Sequence, residues 1–293
     1  MKIVKGRLNK PRRIVCFGPE GIGKSTFASL SPNPIFIGAE DGTSQLDIHR
    51  FNEPDSWPRI IGALEQLLSQ EHDYKTVVVD TLDWAEPMVW AYICQRDGKR
   101  DLSDYDWGRG YTAAVDQWRM FLHKLDALRK DKDMGVILLA HAHVKQFNNP
   151  EGKDYDRYEL KLHHKSAGLI KEWADCVLFA NYETYVHEQG GKVKGIDEGA
   201  RVIYTERRAA WDAKNREGLP PKIAFSWDAF MESTRSCNPE NRVAEAKALL
   251  EHMPERLVDD ARKLIEKYKD RSDKLTVLIN RMKGQIGNEQ ENS

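Results

Sequence analysis

Eight residues, Gly18-Pro19-Glu20-Gly21-Ile22-Gly23-Lys24-Ser25, follow the spacing glycine, four residues, glycine, lysine, hydroxyl. Glycines let successive backbone N–H groups turn inward around phosphate oxygens, and a helix that follows adds its positive end. Lys24 would reach the outer phosphates and the Ser25 hydroxyl would hold Mg²⁺, with Thr26 completing the loop. Chance would place roughly 0.01 such matches in a chain of this composition. The candidate nucleotide-binding residues are Gly18, Pro19, Glu20, Gly21, Ile22, Gly23, Lys24, Ser25 and Thr26, with ATP and Mg²⁺ as the expected cofactors.

A metal-bound nucleotide also needs a carboxylate at the end of a neighbouring strand. Val77-Val78-Val79-Asp80 supplies one, so Ser25 and Asp80 are the expected metal ligands. Thr81 follows where a second acid could stand, so a water-activating carboxylate must come from elsewhere. Glu40, just past Pro34-Ile35-Phe36-Ile37-Gly38-Ala39, is the first candidate; on spacing alone it reads equally well as an ordinary loop acid. Asp41 and Asp83 stand next in line.

Alternating strands and helices must position these groups. Short apolar strands are expected at 13–17, 34–37, 76–79 and 136–140, and later at 176–180, 202–204 and 222–225. Helical spacing marks 57–69 and 113–129. A hairpin is expected near Gly190-Gly191. Continuously apolar strands separated by helices imply a parallel sheet covered on both faces. At Asn238-Pro239 a cap and a first-turn proline open a run of helical spacing, giving a core at 1–237 and a helical extension with a polar tail at 238–293.

Composition narrows the classes. Lys+Arg is 45 and Asp+Glu is 46, so any basic surface must be local. No apolar run approaches the ~18 residues of a membrane span, and no leader opens the chain. Four scattered cysteines without a Cys-x-x-Cys pair fit a reducing cytoplasm, that of a host if the chain is phage-encoded. His141, His143, His163 and His164 come without a cysteine or a placed carboxylate and do not read as a metal site.

Gly18-Pro19-Glu20 through Gly23-Lys24-Ser25-Thr26 resembles the phosphate loop of the RecA recombinases, including its Pro-Glu pair. Ile37-Gly38-Ala39-Glu40-Asp41 resembles the segment that carries that family's catalytic glutamate. Val136-Ile137-Leu138-Leu139-Ala140-His141 resembles its γ-phosphate sensor strand, with His141 where the family has Gln. Ala213-Lys214-Asn215-Arg216 resembles the Lys-x-Arg element shared with hexameric helicases. The layout is most similar to the single-core RecA-like ATPases of tailed phages, the Sak type. The resemblance implies an α/β RecA-like P-loop NTPase core: a mainly parallel sheet flanked by helices, plus a small C-terminal helical extension. It implies catalytic roles for Lys24, Glu40, Asp80, His141, Lys214 and Arg216, the last two acting across a subunit boundary.

The family holds single-stranded DNA on two loops. The matching segments, 96–110 and 143–165, are expected here as long polar loops. They offer Arg96, Lys99, Arg100, Trp107 and Arg109, then Lys145, Phe147, Lys153, Arg157 and Lys161. Cations with interleaved aromatics suit a strand whose phosphates need neutralising and whose bases stack. The expected function is ATP-dependent binding of single-stranded DNA in recombination or annealing, with self-association into a filament or ring. A single-strand-binding protein is a further expected partner, and no membrane is involved. The alternatives are a hexameric helicase-type motor, an ATP-switched assembly module with slow hydrolysis, and a P-loop small-molecule kinase.

Overall fold

A computed structural model of the chain describes Ile3 and residues 10–40, 42–52, 54–189 and 192–290; for 184–189, 192–198, 273 and 287–290 it describes the backbone alone. Asp41 and the Gly190-Gly191 turn lie outside the described residues. The elements run β1 (Arg13–Gly18), α1 (Lys24–Ser29), β2 (Pro34–Gly38), β3 (His49–Arg50), α2 (Trp57–Ser69), β4 (Thr76–Asp80), α3 (Leu82–Arg96), α4 (Arg109–Asp131), β5 (Gly135–Phe147), β6 (Tyr155–Leu160), α5 (His164–Trp173), β7 (Cys176–Gln189), β8 (Lys192–Tyr204), β9 (Lys214–Asn215), β10 (Lys222–Ala224), α6 (Trp227–Ser236), α7 (Pro239–Leu249), α8 (Glu255–Tyr268) and α9 (Ser272–Gln290).

The chain divides into two compact units, residues 1–215 with 224–227, and residues 216–223 with 228–293. In the first, the strand order is β8-β7-β1-β5-β4-β2-β3. The pairs from β7 to β3 are parallel, and β8 returns antiparallel on β7 with Gln189 opposite Lys192. The expected α/β class, a mainly parallel sheet flanked by helices with C-terminal helices following, is the observed one.

Burial explains the strands. All five residues of β4 are buried, as are Ile14 to Gly18 of β1, so neither face of the central sheet meets water. On one face α2 and α4 meet through Trp57, Trp118 and Phe121, whose ring centroids lie 5.2–5.5 Å apart. Gly18 is required by proximity: a Cβ there would lie 2.3 Å from the Ala180 carbonyl oxygen on β7.

Two segments differ from expectation. Leu82–Arg96 is a fifteen-residue helix with no expected counterpart. It buries Leu82, Ala85, Val89 and Ile93 at helical spacing, but Trp84, Trp90 and Tyr92 on its other sides blur that stripe, and Pro87 sits inside. Residues 143–165 are not a long loop. β5 runs on to Phe147 and pairs antiparallel with β6, from Ala142 opposite Leu160 to Phe147 opposite Tyr155. Its sequence is mixed rather than alternating, and its outer strand gains a further partner elsewhere: the Tyr158 N–H donates to the Ala210 carbonyl and the Asp212 N–H to the Tyr158 carbonyl.

In the second unit, the Asn238 side chain accepts from the Glu240 N–H with Pro239 in the first turn. Helices α7, α8 and α9 close over Ala246, Ala261, Ile265, Ile279 and Met282. No described helix is long and apolar enough to cross a membrane.

Trp118 is fully buried, yet its indole N–H has no hydrogen-bond partner. Trp118→Ala should therefore cost ~3–5 kcal/mol in denaturant unfolding. Trp118→Phe should cost clearly less, because it removes an unsatisfied donor while keeping most of the buried area.

Candidate nucleotide-binding site

Parallel strands present all their carboxyl ends at one edge, the place where such sheets bind ligands. Register brings the expected residues together there. Gly18 on β1 lies opposite His141 on β5, and Gly38 on β2 lies opposite Asp80 on β4, with Glu40 two residues beyond. The Ala39 N–H donates to the Asp80 carbonyl at 2.7 Å and holds the Glu40 segment beside β4.

The loop has the conformation its glycines permit. Gly21 and Gly23 stand at φ +72° and +102°, left-handed values that side-chain-bearing residues rarely adopt. Lys24 is buried, and its Nζ donates to the Gly18 and Pro19 carbonyls at 3.1 and 2.9 Å. Burial lowers its pKa, against the fields of Asp80, Asp83 and Glu40. Helix α1 is only six residues long, so anion binding here rests on the loop N–H groups and Lys24 more than on a helix end.

Ser25 Oγ donates to Asp80 Oδ2 at 2.6 Å. Asp80 is 1% exposed, and burial raises its pKa although the Ser25 hydrogen bond and Lys24 pull it down. Glu40 is half-buried; burial and then the negative field of Asp80 raise its pKa, partly offset by His141 and Lys24. A desolvated carboxylate touching a hydroxyl is a donor pair short of positive charge. Among the described residues no three His, Cys, Asp or Glu side chains group to hold a metal. The pair therefore fits Mg²⁺, which takes one or two carboxylates plus phosphate oxygens rather than a full protein cage.

His141 is anchored by Asp83, which spacing marks only as a reserve candidate for the base. From the first turn of α3, Asp83 accepts from both the backbone N–H of His141 and its Nδ1, each at 2.8 Å. Burial opposes ionisation of Asp83, but these bonds from His141 outweigh it and hold the carboxyl below its usual range. Nδ1 is thereby committed and Nε2 is left for other chemistry.

Other expected residues are placed differently. Arg157 is 3% exposed, ion-paired with Asp212 at 3.1 Å and laid over the Phe147 ring at 5.3 Å. Its charge is spent inside the protein, so it is corrected from a DNA contact to a structural arginine. Lys214 Nζ donates to the Lys171 and Glu172 carbonyls, both at 2.8 Å, at the end of α5. That geometry caps a helix within its own chain. Arg96 pairs with Asp97, Arg100 with Asp104, and Lys99 lies over the Tyr105 ring. Arg109, Lys145, Lys153 and Lys161 are exposed.

The family model described as an AAA domain matches residues 10–217. The chain belongs to that family. The match spans the phosphate loop, Glu40, Asp80 and His141, all in the first unit. A crystal structure titled as the RadB recombinase is a distant likeness, at a TM-score of 0.39 and 14% identity, covering 69% of this chain and 84% of that one. No curated protein matches.

The raised pKa of Asp80 gives a signed expectation. The folded state disfavours its charge, so the penalty is absent below the ordinary carboxylate pKa of ~3.9 and grows as pH rises through the higher folded value. Asp80→Asn should raise Tm by on the order of a few degrees at pH 7 without nucleotide. The gain should vanish towards pH 3.5, as followed by thermal melts across that range.

Proposed function

We propose that this AAA-type P-loop domain is a Mg²⁺-dependent ATPase that acts on single-stranded DNA, in recombination or annealing of the phage Sak type. The observation that carries the ATPase reading is the convergence of Lys24, Ser25, Asp80, Glu40 and His141 on one sheet edge from four strands. The loop N–H groups and Lys24 would bind the phosphates. Ser25 and Asp80 would hold Mg²⁺, which when bound neutralises charge on the outer phosphate oxygens. Glu40, whose raised pKa suits a proton acceptor, orients and activates the attacking water. His141, held by Asp83, presents Nε2 towards the outgoing phosphate.

The DNA reading rests on the two segments beyond the site. Trp107 is 97% exposed at φ +55°, an uncommon backbone for a tryptophan, and offers an uncovered ring for base stacking. The β5–β6 hairpin continues from His141 and carries Lys145 on an exposed face, with Lys153 at its tip and Lys161 just past β6. Lys214 and Arg216 are the candidates for cations shared between subunits of a filament or ring, with Lys214 also bonded to the end of α5 in its own chain.

Lys24→Ala should abolish ATP turnover. Glu40→Gln should keep ATP binding and slow hydrolysis ~10²–10⁴-fold in a phosphate-release assay. Parental hydrolysis in Glu40→Gln removes Glu40 from the mechanism and turns attention to Asp41.

Replacing Lys145, Lys153 and Lys161 together by Ala should weaken binding to all single strands. The slope of log K against log salt should flatten by ~0.7 for each phosphate no longer neutralised. Arg157→Ala should instead lower Tm, because it removes one of the two cations on Asp212 and the buried side chain packed over Phe147. An unchanged salt slope in the triple variant, with ATPase intact, overturns the DNA assignment.

A further inference from the structure

Arg201 on β8 reaches the phosphate loop from 179 residues away: its Nη1 donates to the Ile22 carbonyl at 3.0 Å. The same nitrogen would stand 2.9 Å from a Cβ at Gly23, with Phe225 next at 3.7 Å. Arg201 itself is fixed from the other side, its carbonyl accepting from the Phe225 N–H at 3.0 Å, while Phe225 stacks on Phe27 of α1 at 5.2 Å. The hydrogen bond therefore joins two braced elements.

The Ile22 carbonyl and the Gly23 N–H belong to one peptide plane, and in a trans peptide they point in opposite directions. A donor pinning the carbonyl on one side directs the N–H to the other. One of the two torsions that flank this peptide belongs to Gly23, whose φ of +102° lies where glycine alone moves freely, so the hydrogen bond from Arg201 adds a constraint that Gly23 itself does not supply. A loop that binds phosphate must turn its N–H groups in and its carbonyls out. A charged donor on the carbonyl also polarises the amide and strengthens its N–H.

We propose that Arg201 is a positioning residue for nucleotide binding: it holds the Ile22–Gly23 peptide in the orientation that offers the Gly23 N–H to phosphate. The inference rests on the phosphate-binding reading of the loop and adds a residue to it. Arg201 acts through the peptide and needs no contact with the ligand. Its effect falls on anything carrying a di- or triphosphate, whatever the base. The close approach also gives Gly23 a second reason to be glycine, since a side chain there would collide with the guanidinium.

The test uses the full chain and two readouts. The first is the Gly23 amide resonance in a ¹H–¹⁵N spectrum without nucleotide. The second is affinity for ADP and for inorganic tripolyphosphate, which has no base. Arg201→Met keeps the stem and removes the donors; Arg201→Lys restores one charged donor. In Arg201→Met the Gly23 resonance should move or broaden, with the amides of β4 and β5 unchanged. Affinity for both ligands should fall about tenfold, the worth of a charge-assisted hydrogen bond. Arg201→Lys should return the resonance and much of the affinity. An unmoved Gly23 resonance overturns the proposal, whether or not affinity falls, because weaker binding without it means that Arg201 touches the ligand directly. Lower ADP affinity with unchanged tripolyphosphate affinity also overturns it, in favour of an interaction with the base. If Arg201→Met does not fold, Arg201→Lys alone decides: it must keep the parental Gly23 resonance and tripolyphosphate affinity within a few-fold. Lys24→Ala serves as the control on the underlying reading. If the parental protein binds neither ligand, the phosphate reading fails, and the Gly23 resonance still judges the Arg201 hydrogen bond.

Discussion

Asp80 carries a carboxylate that is almost wholly cut off from water, and the surrounding arrangement answers to that fact. A buried charge is tolerated only when it is paired or hydrogen-bonded, and here the partners are one hydroxyl at 2.6 Å and the nearby field of Lys24. The strand that buries it has neighbours on both edges and is buried along its whole length, so its last residue is shielded from water although charged groups stand around it. A site of this kind loses stability when built and gains it back when a cation and a polyphosphate arrive. The parallel sheet makes the arrangement possible, because it delivers β1, β2, β4 and β5 to the same edge in register.

Around that edge the acids are pushed apart in character. Asp83 is held below its usual pKa by two bonds from His141, while Glu40 and Asp80 are raised by burial. Titratable groups shifted in opposite directions within one cleft divide the labour of acid–base chemistry. The lowered Asp83 holds His141, whereas Glu40 keeps a raised pKa. The two acids lie on different elements, α3 and the segment after β2.

The hairpin past His141 is held by charge as well as by its ladder. Arg157 and Lys171 converge on Asp212, and Lys214 fills the carbonyl end of α5. The segment between β8 and β9 is thus a bracket that fastens β6 and α5 to the sheet, with Trp211 stacked on Tyr204 at 4.2 Å. A buried arginine has to be satisfied where it lies, and removing its partner costs far more than an exposed pair would. For this reason charge alone is a poor guide to what faces a ligand: Arg157, which looks like a binding group in the chain, is an interior strut.

The sequence by itself determined what depends on neighbouring residues. The glycine loop with Lys24 and Ser25, the buried run ending in Asp80, helix α2 and the cap at Asn238 are all local patterns, and local sterics and periodicity fix them. Spacing made Glu40 a candidate, and only the resemblance preferred it to an ordinary loop acid. Only the tertiary structure decided the rest. Helix α3 was hidden because its apolar residues surround it on several sides, and burial alone selects the face that packs. The hairpin at 143–160 is joined at Tyr158 to residues 210–212, a contact that no pattern within it announces. Asp83 acquires its role when β5 is placed beside β4, and Arg157 loses its expected one when Asp212 arrives. Arg201 had no signal at all. It meets the phosphate loop only because β8 folds back antiparallel on β7, and meetings between residues so distant in sequence are set by sheet topology, which local propensity does not encode.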